Sequence, residues 1–276
     1  GGDYAPKHEI LGALAALKED NSFELILVGD KEKILQTAKK ENISLDEKMI
    51  HHASQIIDMH DKPTEAIKTK QDSSLVVGAK LVRDKYADAF VSAGNTGAVA
   101  AISTLIIGRL QNVERPTIGS FIPSTNNATF VFDVGAFVDV KPQHLLGYAV
   151  LAEIFVRELY NIANPTIGLL NVGEEAEKGN KQVKETAALL RESKLNFIGS
   201  VEGRDILRGK SNIVLCDGFV GNILLKFGES VPGFMKYLLK QHAEKSIIEK
   251  IKIGLFKNTL RKALSPLNPE LYVGVP

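Results

Sequence analysis

Cysteine occurs once in these 276 residues, at Cys216. A chain with one thiol cannot build an internal disulfide framework, nor the cysteine-rich cage of a structural zinc ion. The shortage fits a reducing cytosol. No apolar run is long enough to cross a bilayer. No signal-peptide pattern, internal repeat or low-complexity linker is visible either. The opening at Gly1-Gly2-Asp3 leaves room for an upstream segment. A dominant charge of one sign is also missing. Net charge is +1, so the whole-chain balance makes no case for nucleic acid. The histidines at 8, 51, 52, 60, 144 and 242 offer no zinc-type spacing with a third ligand nearby, and we expect no metal.

What is present reads as a soluble enzyme: 44% hydrophobic and 24% charged residues, in a length that suits one large α/β domain or two small ones. We expect one such domain over residues 1–276. Strand-like runs at 23–28, 88–91, 117–122, 129–132, 166–170 and 212–215 alternate with helix-like runs at 31–40, 64–70, 74–85, 95–108, 143–160 and 181–191. Alternation of this kind predicts parallel pairing with helices on both faces of a sheet. Ligands then bind beyond the carboxyl ends of the strands.

Four turns at predicted strand ends carry glycine and small polar residues. The first is Ser92-Ala93-Gly94-Asn95-Thr96-Gly97, between an apolar strand-like run and an apolar helix-like one. Free backbone N–H groups at such a helix start suit an anion, most often a phosphate. A turn that merely caps the helix explains the same residues equally well. The others are Asp133-Val134-Gly135-Ala136, Asn171-Val172-Gly173-Glu174-Glu175 and Asp217-Gly218-Phe219-Val220-Gly221-Asn222. Turns need Gly and Asn anyway. Four of them are more than connectivity requires, and they suggest one continuous site.

Within these turns, Lys178 could neutralise a phosphate or polarise a carbonyl, but spacing alone favours a solvated lysine beside Glu174, Glu175 and Glu177. Asn222 could donate to an oxyanion, but spacing alone favours a helix cap. Cys216 ends an apolar run beside Asp217 and lacks a basic partner, so it reads as a small buried hydrophobe rather than a nucleophile. Residues 234–262 hold eight Lys or Arg and two Glu, an excess of six positive charges. The segment 230–264 therefore reads as a basic amphipathic helix. A membrane surface or acidic partner accounts for it about as well as core packing does.

Taken in order, these motifs resemble the PlsX-type bacterial phosphate acyltransferases. The likeness runs from Gly1-Gly2-Asp3-Tyr4-Ala5-Pro6 through Asp61-Lys62-Pro63, Lys70 with Ser73-Ser74, and the turn at 92–97. It continues through Gly108-Arg109, Glu114-Arg115-Pro116, the Asp133 turn, and Lys141-Pro142 with His144. It closes with the Asn171 turn, Lys178-Gly179-Asn180 and the Asp217 turn. Phe137 stands where that family usually has Asn. The resemblance implies a three-layer α/β/α sandwich with a mostly parallel sheet, similar to phosphate acetyltransferases and isopropylmalate-type dehydrogenases. It implies transfer of an acyl group from acyl carrier protein to inorganic phosphate, with no cofactor, giving acyl phosphate for glycerolipid (phosphatidic acid) synthesis. Other readings are an acyl-coenzyme A-dependent transferase and a non-catalytic membrane-associated scaffold. The resemblance also implies a homodimer, a cytosolic enzyme held peripherally at the membrane, and hand-over to a membrane glycerol-3-phosphate acyltransferase. It makes Lys178 and Asn222 catalytic. Substrate would then lie against Gly94, Asn95, Thr96, Gly97, Asp133, Gly135, Asn171, Gly179, Asn180, Asp217, Gly218 and Gly221. A first strand before Gly1 and a closing strand after Pro276 are further expectations of the likeness.

Overall fold

The computed structural model describes residues 2–265 and leaves aside the side chain of Asn127; the two expected flanking strands lie outside that range. The chain divides into two compact units, 1–113 and 114–276.

In the first unit, helices α1 (Lys7–Glu19), α2 (Lys31–Lys40), α3 (Pro63–Thr69), α4 (Ser74–Arg83) and α5 (Thr96–Ile102) accompany a two-stranded parallel sheet of β1 (Leu27–Gly29) and β2 (Ile50–His52). Start signals in the sequence set the helix boundaries. Asp30 accepts from the Lys33 amide to cap α2, and Ser73 accepts from the Val76 amide to cap α4. After α5 the backbone widens into a π-helical turn, Ser103–Ile107. Ala66, Ile67, Leu75, Val76, Ala79, Ala98 and Ile102 form a core between α3, α4 and α5.

The predicted strand at 88–91 is not a strand. A strand needs a neighbour to share its backbone hydrogen bonds, and this segment pairs with none among the described residues. It is anchored by one side chain instead. The Phe90 ring lies over Gly78, where an added Cβ would come within 2.7 Å of it.

The second unit is built on a five-stranded sheet of β3 (Gly119–Ser124), β4 (Asn127–Phe132), β5 (Ile167–Leu170), β6 (Phe197–Val201) and β7 (Ile213–Leu215). The spatial order is β3-β4-β7-β5-β6, antiparallel only between β3 and β4. Those two are joined by a two-residue hairpin at Thr125 and Asn126, too short for the crossover that parallel pairing needs. The other pairs, β4–β7, β7–β5 and β5–β6, are parallel, so the sheet is mostly parallel as expected.

Strand periodicity then sorts the core. Phe130, Phe132, Ile167, Leu169, Ile213 and Leu215 point to one face, under α6 (Pro142–Tyr160) and α7 (Lys181–Glu192). Val131, Val214, Val201 and Cys216 point to the other, under α8 (Gly203–Arg208) and the start of α9 (Gly218–Ala243). The second unit is thus a three-layer α/β/α sandwich with a mostly parallel sheet.

A further helix, α10 (Ile247–Ala263), follows α9 and packs against it without a single buried residue. Phe227, Phe234, Tyr237, Ile247, Ile248, Leu255 and Phe256 on the two helices are exposed. Among the described residues no helix is long and apolar enough to cross a membrane.

Candidate active site

Three of the four glycine-bearing turns leave the carboxyl ends of adjacent parallel strands, β4, β7 and β5. The turn after β4 is organised by one buried carboxylate. Asp133 Oδ1 accepts from the Gly135 and Ala136 amides at 3.0 and 2.9 Å, and Oδ2 accepts from Phe137 at 2.9 Å. The Ile118 amide adds a longer bond at 3.3 Å. A fully buried carboxylate is costly unless its lone pairs are met; here four backbone donors meet them. Asp133 is therefore an architect of the turn.

The turn after β7 is clamped onto that one. Asp133 and Cys216 each donate a backbone N–H across the β4–β7 pair, and Gly218 donates to the Phe137 carbonyl at 2.9 Å. Gly218 and Gly221 permit this approach. A Cβ at Gly221 would lie 1.8 Å from the Asp133 carbonyl oxygen, and one at Gly218 would lie 2.6 Å from that of Phe137. Both glycines act on packing against the neighbouring turn.

Asp217, and not Asn222, caps α9, accepting from the Val220 amide at 2.8 Å. Asn222 sits one turn inside the helix, where its amide is released from capping. The side chain is half-buried and lies against Gly135, whose φ is +135°. A Cβ there would approach Asn222 Cβ at 3.4 Å.

Cys216 is buried, and its Sγ donates to the Asp133 carbonyl oxygen at 3.4 Å. Burial, with the Asp217 and Asp133 carboxylates beside it, pushes the thiol far above its ordinary range. It stays a protonated thiol at neutral pH.

The turn after β5 carries Lys178. Asn171 organises it, donating to the Lys178 carbonyl and to Ser200 Oγ, both at 3.2 Å, while accepting from the Val172 amide. Gly179 takes φ +92° and passes so close that a Cβ would lie 2.5 Å from Asn171 Oδ1. Asn180 caps α7 through the Val183 amide. Glu174 is drawn away to Lys210, at 2.5 Å. Lys178 itself is exposed, and among the described residues no carboxylate pairs with it. The glutamates that would have made it a solvated counter-ion do not engage it.

The turn at 92–97 belongs to the first unit. Asn95 Oδ1 accepts from the Ala98 amide at 3.0 Å and caps α5, while Nδ2 donates to the carbonyls of Asp58 and Met59 at 3.3 and 3.2 Å. Both ends of this amide are thus engaged within the protein. The Ser92 hydroxyl accepts from the Gly94 amide at 3.0 Å. Thr96 is exposed, and a Cβ at Gly97 would touch Pro63 at 3.3 Å. The loop beneath Asn95 is itself tied down: Asp61 accepts from the Asp58 amide at 2.7 Å and from Lys70 Nζ at 2.5 Å.

Sequence reasoning assigned no role to a cluster around α6. Glu114 and His144 pair at 3.3 Å, and His144 Nδ1 accepts from the Lys141 amide at 3.0 Å. Burial, and then the Arg115 guanidinium, hold the His144 imidazole below its ordinary value near 6.5. Arg115 donates to the Asp139 carbonyl at 2.7 Å and lies 5.2 Å from the centre of the Phe137 ring. The available signal was the pair of motifs Glu114-Arg115-Pro116 and Lys141-Pro142-His144, quoted for likeness alone. Among the described residues no group of His, Cys, Asp or Glu could hold a metal ion.

The chain is similar to known proteins. Residues 1–276 match the family described as fatty acid synthesis protein. The chain is 46% identical to the phosphate acyltransferase of Chlorobaculum parvum, covering all of this chain and 84% of that one. It is 43% identical to that of Aquifex aeolicus, covering all of this chain and 82% of the other. Among solved structures, a phosphotransacetylase from Streptococcus pyogenes superposes with TM-score 0.59 at 18% identity, over 82% of this chain and 79% of that one. The EutD phosphotransacetylase from Staphylococcus aureus gives 0.57 at 19%, with the same coverage. At these identities the structural likeness shows the fold.

Proposed function

This chain belongs to the fatty acid synthesis protein family, among relatives named phosphate acyltransferase, and from that premise we propose that it transfers a fatty acyl group from acyl carrier protein to inorganic phosphate. The enzyme is an acyltransferase. Its product in this reading is an acyl phosphate that feeds glycerolipid synthesis through a membrane glycerol-3-phosphate acyltransferase.

The reaction has a simple balance. A phosphate oxygen attacks the thioester carbonyl carbon, and a C–O bond forms. The tetrahedral oxyanion collapses, the C–S bond breaks, and the thiolate leaves to take a proton from solvent. The observation that supports direct attack is the state of Cys216, buried and held as a thiol. Phosphate is itself an anionic nucleophile at neutral pH, so positioning and oxyanion stabilisation supply most of the rate. In this scheme the turn at 92–97 takes the phosphate through its backbone amides and Thr96. Asn95 serves by holding the turn's shape. Lys178, unpaired with any carboxylate among the described residues, and Asn222, which does not cap the helix, stabilise the oxyanion. Asp133, Gly135, Asn171, Gly179, Asn180, Asp217, Gly218 and Gly221 set the walls on which the donor lies. The basic, apolar face of α9 and α10 offers a docking surface for the acidic carrier protein or an anionic membrane, and the enzyme works as a homodimer.

The test is phosphate-dependent release of free thiol, measured with acyl carrier protein and with coenzyme A as acyl donors. Faster release from acyl carrier protein supports the reading. Preference for acyl-coenzyme A contradicts the choice of donor, and no release from either contradicts the activity.

A further inference from the structure

The motifs Glu114-Arg115-Pro116 and Lys141-Pro142-His144 are absorbed by nothing in the scheme above, yet Arg115 and Lys141 from them line one open cavity of the second unit. It measures about 580 Å³ and is lined by Arg115, Asp139, Lys141, Gln182, Asp217 and Phe219, with Val138 and Val140. That volume holds a small organic ligand and is far more than one inorganic ion needs.

Its cations are fixed from behind. The half-buried Arg115 is held by the Asp139 carbonyl and the Phe137 ring. These contacts leave most of its N–H donors free and set the plane of the fork that matches a phosphate. Lys141 is placed by its amide's bond to His144, which Glu114 braces in turn. No carboxylate pairs with either cation among the described residues.

The rest of the wall argues against a bare anion. The carboxylates of Asp139 and Asp217 would repel one, whereas they would accept hydrogen bonds from the amides and hydroxyl of a longer ligand. Gln182 donates its Nε2 to the Val140 carbonyl at 2.7 Å, and its side-chain Oε1 has no partner among the described residues. The Phe219 ring, half-exposed at the start of α9, offers an apolar contact. Two cations, several acceptors and an aromatic ring in one lining suit a ligand that carries a phosphate together with amide donors.

Resting on the reading that the donor is a pantetheine thioester, we infer that this cavity receives the phosphopantetheine arm, with its phosphate on Arg115 and Lys141. The inorganic phosphate that attacks is then bound elsewhere, and the two phosphate groups of the reaction are read by different residues.

Calorimetric titration of the full chain with 4′-phosphopantetheine and with pantetheine tests this. The wild type is expected to bind the phosphorylated arm about tenfold or more tightly, the worth of one charge-assisted contact. Arg115→Ala should abolish the preference, Lys141→Ala should reduce it, and the KM for inorganic phosphate should stay within about twofold. Equal affinities in the wild type, a preference that survives in Arg115→Ala, or a raised KM for inorganic phosphate would overturn the inference. Should Arg115→Ala not fold, the wild-type comparison and Lys141→Ala, at an exposed side chain, still decide. Holo acyl carrier protein and coenzyme A, titrated alongside, separate the two sources of such an arm; Arg115 dependence in neither counts against the inference. Turnover assays keep the two readings apart. Phosphate-dependent binding without acyl transfer defeats the proposed activity alone, and acyl transfer without that binding preference defeats the cavity assignment alone.

Discussion

Asn171 donates its side-chain amide to the backbone carbonyl of Lys178 at 3.2 Å. The bond closes the loop after β5 and fixes where the lysine leaves it. Lys178→Ala should lower turnover by on the order of a hundredfold, as expected for loss of a charge that stabilises the transition state. Its exposure predicts an unchanged melting temperature. Asn171→Leu should lower kcat less, with Lys178 intact but loosely placed. Steady-state kinetics with a thermal melt check both; near-normal turnover in Lys178→Ala would remove the residue from the mechanism.

Gly221 faces the Asp133 carbonyl oxygen, 1.8 Å from where a Cβ would be. The neighbour is backbone and cannot rotate away. Gly221→Ala should cost about 3 kcal/mol of stability, as overpacking does, read as a lower denaturation midpoint.

Cys216 is expected to resist alkylation at pH 8 in the folded protein and to react once unfolded. Cys216→Ala should keep wild-type turnover while losing about 1 kcal/mol of stability. An inactive, folded Cys216→Ala would revive a covalent route.

His144 has its pKa held down in the folded state, chiefly by burial and then by Arg115. Above its ordinary value near 6.5 both folded and unfolded states carry it neutral. As pH falls below that value the unfolded state takes up the proton first, so stability drops until the folded pKa is passed. His144→Asn, which keeps an acceptor for the Lys141 amide, should flatten the fall in melting temperature as pH drops below about 6.5. An unchanged slope would exclude His144 as its source.

Reversing charge at Lys245, Lys250 and Lys252 should weaken sedimentation with anionic vesicles or affinity for acyl carrier protein, without changing the fold. If neither changes, the segment does not dock.

The sandwich of the second unit was legible because its strands and helices follow their own periods. Phe130, Val131 and Phe132 alternate between two cores, and Pro142 and Asn180 mark helix starts. Pairing was less legible, since it depends on distant partners. The apolar run at 88–91 found none among the described residues, and β6 emerged from a run that spacing did not single out. At the site, Lys178 and Asn222 could not be lifted above their ordinary readings by local spacing. What distinguishes them is non-local: Lys210 takes Glu174, and Asp217 takes the cap of α9. Asn95 went the other way, because the carbonyls that occupy its amide lie 37 and 36 residues earlier.

The most direct measurement is a single-turnover reaction with radiolabelled acyl-acyl carrier protein, run with and without inorganic phosphate and resolved into protein-bound acyl, acyl phosphate and free thiol. The account predicts acyl phosphate and thiol in equal amounts with phosphate, and no acyl-enzyme without it. Label fixed covalently to the enzyme in the absence of phosphate would contradict direct attack.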